Sequence, residues 1–134
     1  MVNEAICIEA PKIIKRYTVA DGTAIAKGTI LQVSGGSINC AKATDATFRN
    51  TFAGIAVEEK TASDGITEIG AAIDGVWDIF QCATATTAGL MVSCSGSNLC
   101  GAAIAADTIS GAIMGKLLEP GTASVANRVR LGGI

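Results

Sequence analysis

One stretch of the sequence recurs after 60 to 61 residues. Residues 28–40 read GTILQVSGGSINC and residues 89–100 read GLMVSCSGSNLC, so a β-type run, a Ser/Gly turn and a second short run follow in the same order. The tripeptide Thr-Ala-Ser recurs at the same spacing, at 61–63 and at 122–124. Such a period indicates an internal duplication, which constrains the fold more than any other feature of the chain.

A further segment, 52–57, is similar to 109–114. A unit of about 45 residues with one apolar face buries too little surface to be stable alone. We therefore expect the two pseudo-repeats, about 27–81 and 88–134, to close on each other as one small barrel or sandwich.

The apolar residues occur in short runs separated by Gly, Asp-Gly, Ser-Gly and Asn, without a sustained 3.6-residue stripe. Ser/Gly tetrads at 34–37 and 95–98 indicate hairpins, and Asp74-Gly75 indicates a tight turn. The sequence therefore predicts an all-β protein with little or no helix, at most one turn near 44–49 or 104–109. The predicted strands are 5–10, 13–19, 29–33, 37–41, 52–58, 67–74, 76–81, 90–94, 98–102, 112–118 and 126–131.

Two of these strands show the alternation of a sheet with one buried face. Val129 and Leu131 alternate with Arg128 and Arg130, which predicts a buried face and a charged one. The apolar residues at positions 69, 71 and 73 alternate in the same manner.

The composition is poor in large apolar side chains and in charge. The apolar fraction is 49%, but 23 of these residues are Ala, only five residues are aromatic, and charged residues make up 16%. A chain of 134 residues is long enough to form one domain with an ordinary core. The scarcity of large apolar side chains makes this core thin, and the surface is low in charge. We expect part of that surface to be covered by other protein.

Several function classes are disfavoured. The chain has no His, the side chain most often used as general acid/base and as metal ligand. Its net charge of −2 and its lack of a Lys/Arg block argue against nucleic-acid binding. No run approaches the roughly 18 to 20 apolar residues of a membrane span, and Glu4 and Glu9 stand where a signal peptide would be basic and then apolar. We expect no membrane partner and synthesis in the cytoplasm.

The chain has five cysteines, an odd number without paired short spacings, which favours reduced, packed thiols over a disulfide framework. Cys94 and Cys100 flank a predicted hairpin, but two thiols without His make a poor zinc site. Cys7, Cys40 and Cys82 lie in apolar strand sequence, where packed thiols are also expected. We expect no metal and no cofactor.

No residues have the spacing of a catalytic site. The Gly-rich segments lack the order of a phosphate-binding loop, and no Cys has an imidazole base in this His-free chain. Asp74 and Asp78 resemble a carboxylate pair, but turn and solvent-facing roles fit better because only Trp77 offers a nearby aromatic for a glycan cleft. We expect no catalytic residue and no enzymatic activity.

The chain resembles the small phage capsid decoration, or cement, proteins of the lambda-like head-decoration kind. The resemblance is carried by the segments 21–31, 52–57, 69–77 and 128–131, with their Gly-Thr, Gly-Ile-Ala, Gly-Val and closing Val-Arg-Leu elements. It implies a β-rich homotrimer that binds the major capsid protein on the outer surface of an icosahedral head, at threefold or quasi-threefold positions, and stabilises the shell. It also implies location on the capsid exterior of the virion.

The resemblance further implies an N-terminal segment that grips the capsid protein, here 1–16, before a single β domain, 17–134. Trp77 fits either a core or an interface role. Arg128 and Arg130 fit a solvent-facing role or contacts to acidic residues such as Glu58 and Glu59 of a neighbour. The expected interface residues are Ile6, Ile8, Ile13, Ile14, Trp77, Arg128 and Arg130.

Two other function classes remain open. One is a self-assembling or carbohydrate-binding β-module without a viral shell partner. The other is a biotinyl or lipoyl carrier domain, to which 21–31 is similar, although the Met-Lys-Met or Asp-Lys-Ala tip that carries the cofactor does not occur.

Overall fold

The computed structural model describes residues 4–33, 40–42, 52–80, 87–96, 98–104, 112–122 and 125–132. Within these ranges the chain forms eleven strands and no helix, as the turn-punctuated sequence predicts. The short predicted helical turns lie outside the described residues, apart from Ile104, which is not helical. The strands are β1 Ile6–Glu9, β2 Ile14–Thr18, β3 Ile30–Val33, β4 Cys40–Lys42, β5 Phe52–Ala56, β6 Glu68–Ala72, β7 Gly75–Phe80, β8 Met91–Gly96, β9 Leu99–Ala102, β10 Ile113–Leu117 and β11 Ala126–Leu131.

The strands form two antiparallel sheets. The six-stranded sheet has the order β1-β7-β11-β10-β8-β9, and the five-stranded sheet has the order β2-β6-β5-β3-β4. The predicted turn at Asp74-Gly75 lies between β6 and β7, which belong to different sheets, so it carries the chain across the sandwich and does not form a hairpin. None of the described residues belongs to a helix that could span a membrane.

The two sheets repeat one arrangement of five strands. The order β2-β6-β5-β3-β4 corresponds to β7-β11-β10-β8-β9, and β1 is the additional strand. The pair Tyr17–Ile69 corresponds to Trp77–Val129, 60 residues later. Likewise, the Gly28 N–H donates to the Ala56 carbonyl at 2.9 Å, and the Gly89 N–H, 61 residues later, donates to the Leu117 carbonyl at 2.7 Å. The internal duplication is therefore visible in strand order, register and turn bonding.

The structural repeat differs from the predicted one at two points. It begins at β2, so β7 belongs to the second copy although the sequence analysis assigned it to the first. In addition, β5 is equivalent to β10 and not to the segment 109–114. The strand pairing shows this, because Leu31 lies opposite Gly54 in the five-stranded sheet and Val92 lies opposite Gly115 in the six-stranded sheet. The similarity of 52–57 to 109–114 comes from reuse of Gly, Ala and Ile.

The core has two parts. One cluster lies between the sheets and contains Ile30, Ile55 and Ala72 from one sheet with Trp77 and Met114 from the other. The second cluster is lined by the five-stranded sheet and includes the side chains of Val19, Ile25, Leu31, Ala53, Ala56, Ile69 and Ala71. Three of these seven buried residues are Ala, in line with an Ala-rich composition.

The alternation prediction is confirmed in β11 and wrong in β6. In β11, Val129 and Leu131 are buried while Arg128 and Arg130 are exposed. In β6, Ile69 and Ala71 pack in the second cluster while Ala72 packs between the sheets, so both faces are buried. Because β6 has core on both sides, alternation alone does not identify its solvent face.

The predicted hairpin at 95–98 is confirmed, with Cys94 opposite Cys100 in paired strands. The other tetrad, 34–37, lies outside the described residues, although β3 and β4 on either side of it pair antiparallel. Cys100 is buried and Cys94 is half-buried, and neither is part of a disulfide. Cys7 is exposed, which corrects its predicted packing, because β1 is an edge strand. Position 82 and the side chain at position 40 lie outside what the structure describes.

Candidate interaction surface

Residues 6–18, here called the N-terminal corner, supply an outer strand to each sheet. β1 pairs with β7 at one edge of the six-stranded sheet, and β2 pairs with β6 at one edge of the five-stranded sheet. The connection 10–13 includes Pro11, which fits at a sheet edge because it donates no main-chain hydrogen bond. The predicted boundary between 16 and 17 therefore falls inside β2, and the N-terminal segment is part of both sheets.

The four isoleucines predicted to contact a partner are all on the surface. The side chains of Ile6, Ile8, Ile13 and Ile14 belong to residues that are 59%, 40%, 51% and 50% exposed. Isolated apolar residues on a surface are ordinary, but four isoleucines within nine consecutive residues are a concentration of apolar surface. The N-terminal corner is thus a candidate contact surface.

The corner is held in place by Asp74. Its Oδ1 accepts the main-chain N–H of Lys12 at 2.9 Å and that of Ile13 at 3.0 Å. Its carbonyl oxygen accepts the indole N–H of Trp77 at 3.1 Å. Asp78 forms an ion pair with Arg128 at 3.3 Å. Both carboxylates of the hypothetical glycosidase pair therefore have structural partners, as the turn and surface interpretation predicts.

Trp77 is a core residue. It is 3% exposed and packs in the cluster between the sheets, opposite Cys7 on one side and Val129 on the other. The core interpretation is confirmed, and the side chain offers almost no surface to a partner. The assignment of Trp77 as an interface residue is not supported, because its side chain packs between the two sheets.

Arg128 and Arg130 lie on the solvent-facing side of the six-stranded sheet, and their environments differ. Arg128 pairs with Asp78. Arg130 stands opposite Lys116 in β10, and neither side chain forms an ion pair within the described part of the chain. Like charges directly opposite each other across two strands are destabilising, so an anionic group placed between them would be bound favourably. The sequence could not indicate Lys116, since its position beside Arg130 depends on which strands pair.

Glu58, predicted as a partner for these arginines in a neighbouring copy, has partners within the chain. One carboxylate oxygen accepts the Gly70 N–H at 2.7 Å and lies 3.4 Å from Arg16. Arg16 also lies 4.0 Å from Glu68. These ion pairs are exposed and contribute little to stability.

A groove of about 330 Å³ runs along the inner side of the corner. Its lining carries charges of both signs, from Glu9, Asp74, Lys12 and Arg130. No aromatic residue lines it, unlike the mostly apolar pockets that hold small organic ligands. Among the described residues, no group of three or more Cys, Asp or Glu is placed to hold a metal ion.

A buried cation lies in the five-stranded half. Lys60 is 2% exposed, and its Nζ donates to Asp64 Oδ1 at 2.8 Å, to Asp21 Oδ1 at 3.2 Å, and to the carbonyls of Asp21 and Thr61. Burial lowers the pKa of Lys60, but the bonds to Asp64 and Asp21 outweigh this and raise it overall. The same bond from Lys60, with the Ile66 and Thr61 N–H groups, lowers the pKa of Asp64. The protonated amine is a structural cation and not a nucleophile.

Two antiparallel sheets, duplicated in strand order and without a described helix, define a class of β-sandwich. No protein-family model and no curated protein matches the sequence. Among solved structures, the chain is similar to the N base of the head fiber gp8.5 of bacteriophage phi29, with a TM-score of 0.56 and 11% identity, covering 90% of this chain and 93% of that one. The likeness shows a shared fold over nearly all of both chains. The neighbour is a head fiber base and not a lambda-like decoration protein.

Proposed function

We propose that this chain is a structural protein of a phage virion, located on the exterior of the capsid and without catalytic activity. The observation that carries the proposal is the fold shared with the phi29 head fiber base over 90% of this chain and 93% of the other. A match over whole domains favours a common architectural role more than a match of one motif does. Function still depends on the surface, so the proposal needs a test of its own.

In the finer form of the proposal, the chain binds the major capsid protein as a homotrimer and stabilises the shell. The exposed isoleucines of the N-terminal corner supply apolar contact area, worth about 25 cal/mol per Å² when buried. A protein that binds only the assembled lattice stabilises that lattice by mass action. Repetition over the shell adds many small interfaces through multivalency.

The absence of catalysis in this proposal agrees with how the polar side chains are used. Asp74 holds the corner, Asp78 pairs with Arg128, and Lys60 is surrounded by acceptors. Each of these groups is occupied by a structural contact within the chain.

The test is addition of the purified protein to heads of the virus that encodes it. We expect the protein to sediment with the heads to saturation, to raise the temperature at which the heads lose their contents, and to appear by electron microscopy as threefold protrusions. An unrelated protein of similar mass gives the background. Failure to sediment with heads, with glycan binding in its place, would instead favour the carbohydrate-binding alternative.

A further inference from the structure

The edge strand β2 directs main-chain hydrogen-bonding groups away from its own sheet. The Ile13 carbonyl accepts the Ile73 N–H, and the Val19 N–H donates to the Thr67 carbonyl. Because successive residues of an antiparallel strand point to opposite sides, the odd-numbered residues face β6. The even-numbered residues Ile14, Arg16 and Thr18 therefore direct their N–H and C=O groups outward, where the described chain has no further strand.

The internal repeat indicates what kind of element covers such an edge. β2 and β7 hold equivalent positions in the two copies of the five-strand arrangement. The outer edge of β7 is covered by β1, whereas the corresponding edge of β2 has no strand beside it within the described residues. The second copy of the arrangement thus shows how such an edge is covered, since β1 pairs along the outer edge of β7.

The charges of the two outer strands are complementary. β1 ends in Glu9, and β2 contains Lys15; neither side chain forms an ion pair among the described residues. Pairing β2 with β2 of another copy would bring basic residues together. Pairing β1 with β2 places opposite charges across the strands, which is favourable. All four residues of β1 are exposed, so its outer side is accessible.

We propose that copies of this chain associate edge to edge, with β1 of one copy pairing antiparallel with β2 of the next. The six-stranded sheet of one copy then continues into the five-stranded sheet of its neighbour. Each copy gives one edge and receives one, so the contact is heterologous, and it closes as a ring when the rotation between copies is a whole fraction of a turn. Three copies give the homotrimer, and this stoichiometry rests on the proposed function. Exposed hydrophobic edge strands otherwise lead to aggregation, which a closed ring prevents.

The first test is the oligomeric state of the full chain without any shell, measured by sedimentation velocity. Arg16→Pro removes the central outward N–H of β2 without removing a hydrogen bond to β6, and we expect it to weaken trimer formation at least about 100-fold. Arg16→Ala loses the same exposed ion pairs but keeps the N–H, and serves as the control with a change below about fivefold. Circular dichroism checks that both variants are folded.

The second test does not depend on proline. Glu9→Lys or Lys15→Glu alone should weaken association about three- to tenfold, and the double variant should recover most of that loss because the opposite charges are restored. If the trimer persists in Arg16→Pro and Glu9 and Lys15 show no coupling, the proposed interface between β1 and β2 is wrong, but the homotrimer is not. If the wild-type chain is monomeric, both the interface and the homotrimer are wrong. Sedimentation with heads tests shell binding separately.

Discussion

The side chain of Asn98 is hydrogen-bonded to the main chain of Ile30, in the opposite sheet. Its Oδ1 accepts the Ile30 N–H at 2.6 Å, and its Nδ2 donates to the Gly28 carbonyl at 3.0 Å. Asn98 is 3% exposed and has a φ of 58°, a left-handed conformation that Asn tolerates better than most residues. One amide thus joins the hairpin between β8 and β9 to the start of β3.

Asn98→Ala should lower the free energy of unfolding by about 2 to 5 kcal/mol. The substitution leaves the buried Ile30 N–H without its acceptor, which costs about 1 to 3 kcal/mol, and places Ala in a left-handed conformation, which costs about 1 to 2 kcal/mol. The Gly28 carbonyl loses one donor but keeps the Ala5 N–H. Urea unfolding followed by tryptophan fluorescence measures the change.

Ser63→Ala is the matched control, because Ser63 has a φ of 57° and is exposed. It changes a side chain at a left-handed position without removing a buried bond, and because Ser already carries the cost of that conformation we expect a loss below about 1 kcal/mol. Equal losses in the two variants would show that the Asn98 amide contributes nothing beyond its backbone conformation.

Gly115→Ala should destabilise the chain by about 3 kcal/mol, because an added Cβ would overlap the carbonyl oxygen of Arg130 in the neighbouring strand. Its equivalent in the first repeat, Gly54, has the same constraint, with the Ala72 carbonyl 2.7 Å from the Cβ position. Gly22→Ala is the control: nothing lies within 4 Å of its Cβ position, and we expect stability to be unchanged or raised by up to about 1 kcal/mol. Chemical denaturation of the wild type and the two variants decides the matter, and a tolerated Gly115→Ala would contradict the close strand approach.

The strands themselves could be predicted from the sequence, and the sheet to which each belongs could not. Gly and Ser turns mark the ends of β-branched runs, whichever strands those runs pair with. The eleven strand segments could therefore be recognised in the sequence. Asp74-Gly75 has the composition of a hairpin turn, yet here it connects two sheets. Local sequence specifies a change of direction and not the partner strand, which long-range packing decides.

The candidate surface was predicted in part, for the same reason. The isoleucines were predicted as contact residues because the family resemblance implies an N-terminal segment that contacts a partner, and 1–16 is rich in isoleucine. The pairing of Arg130 with Lys116 and the bond from Asn98 to Ile30 both join residues that are distant in sequence. Neither leaves a local pattern, so neither was predictable.

The stability of the chain should depend on pH through Lys60 and Asp64. The pKa of Asp64 is held below its ordinary 3.8, chiefly by the bond from Lys60, so its contribution is complete above pH 3.8 and is lost as the pH falls through the lowered value. The pKa of Lys60 is raised above 10.5, since the bonds to Asp64 and Asp21 outweigh burial. Its contribution is complete below pH 10.5 and is lost as the pH rises through the raised value.

Lys60→Met should remove the Lys60 contribution and reduce that of Asp64, which keeps its bonds from the Ile66 and Thr61 N–H groups. We expect the pH dependence of the urea midpoint to flatten in alkali, to weaken in acid, and the midpoint at pH 7 to fall. Lys116→Met removes the same charge from an exposed position and should keep the wild-type pH dependence. The same flattening in both variants would contradict a specific role for the buried cation.

Shell attachment should weaken when Ile13 is made polar. Ile13 is 51% exposed and lies in the connection between β1 and β2, outside both paired strands, so Ile13→Ser should change stability by less than about 1 kcal/mol. Loss of its apolar contact should reduce the affinity for heads about three- to tenfold, measured by sedimentation of labelled protein with heads. Ile66→Ser, at a residue 48% exposed in a different loop, is the control and should bind as the wild type does. Equal binding by the two variants would place the shell contact elsewhere. Deletion of 1–16 is unsuitable for this purpose, because it removes β1 and most of β2 and uncovers the edge of β7 beside Trp77.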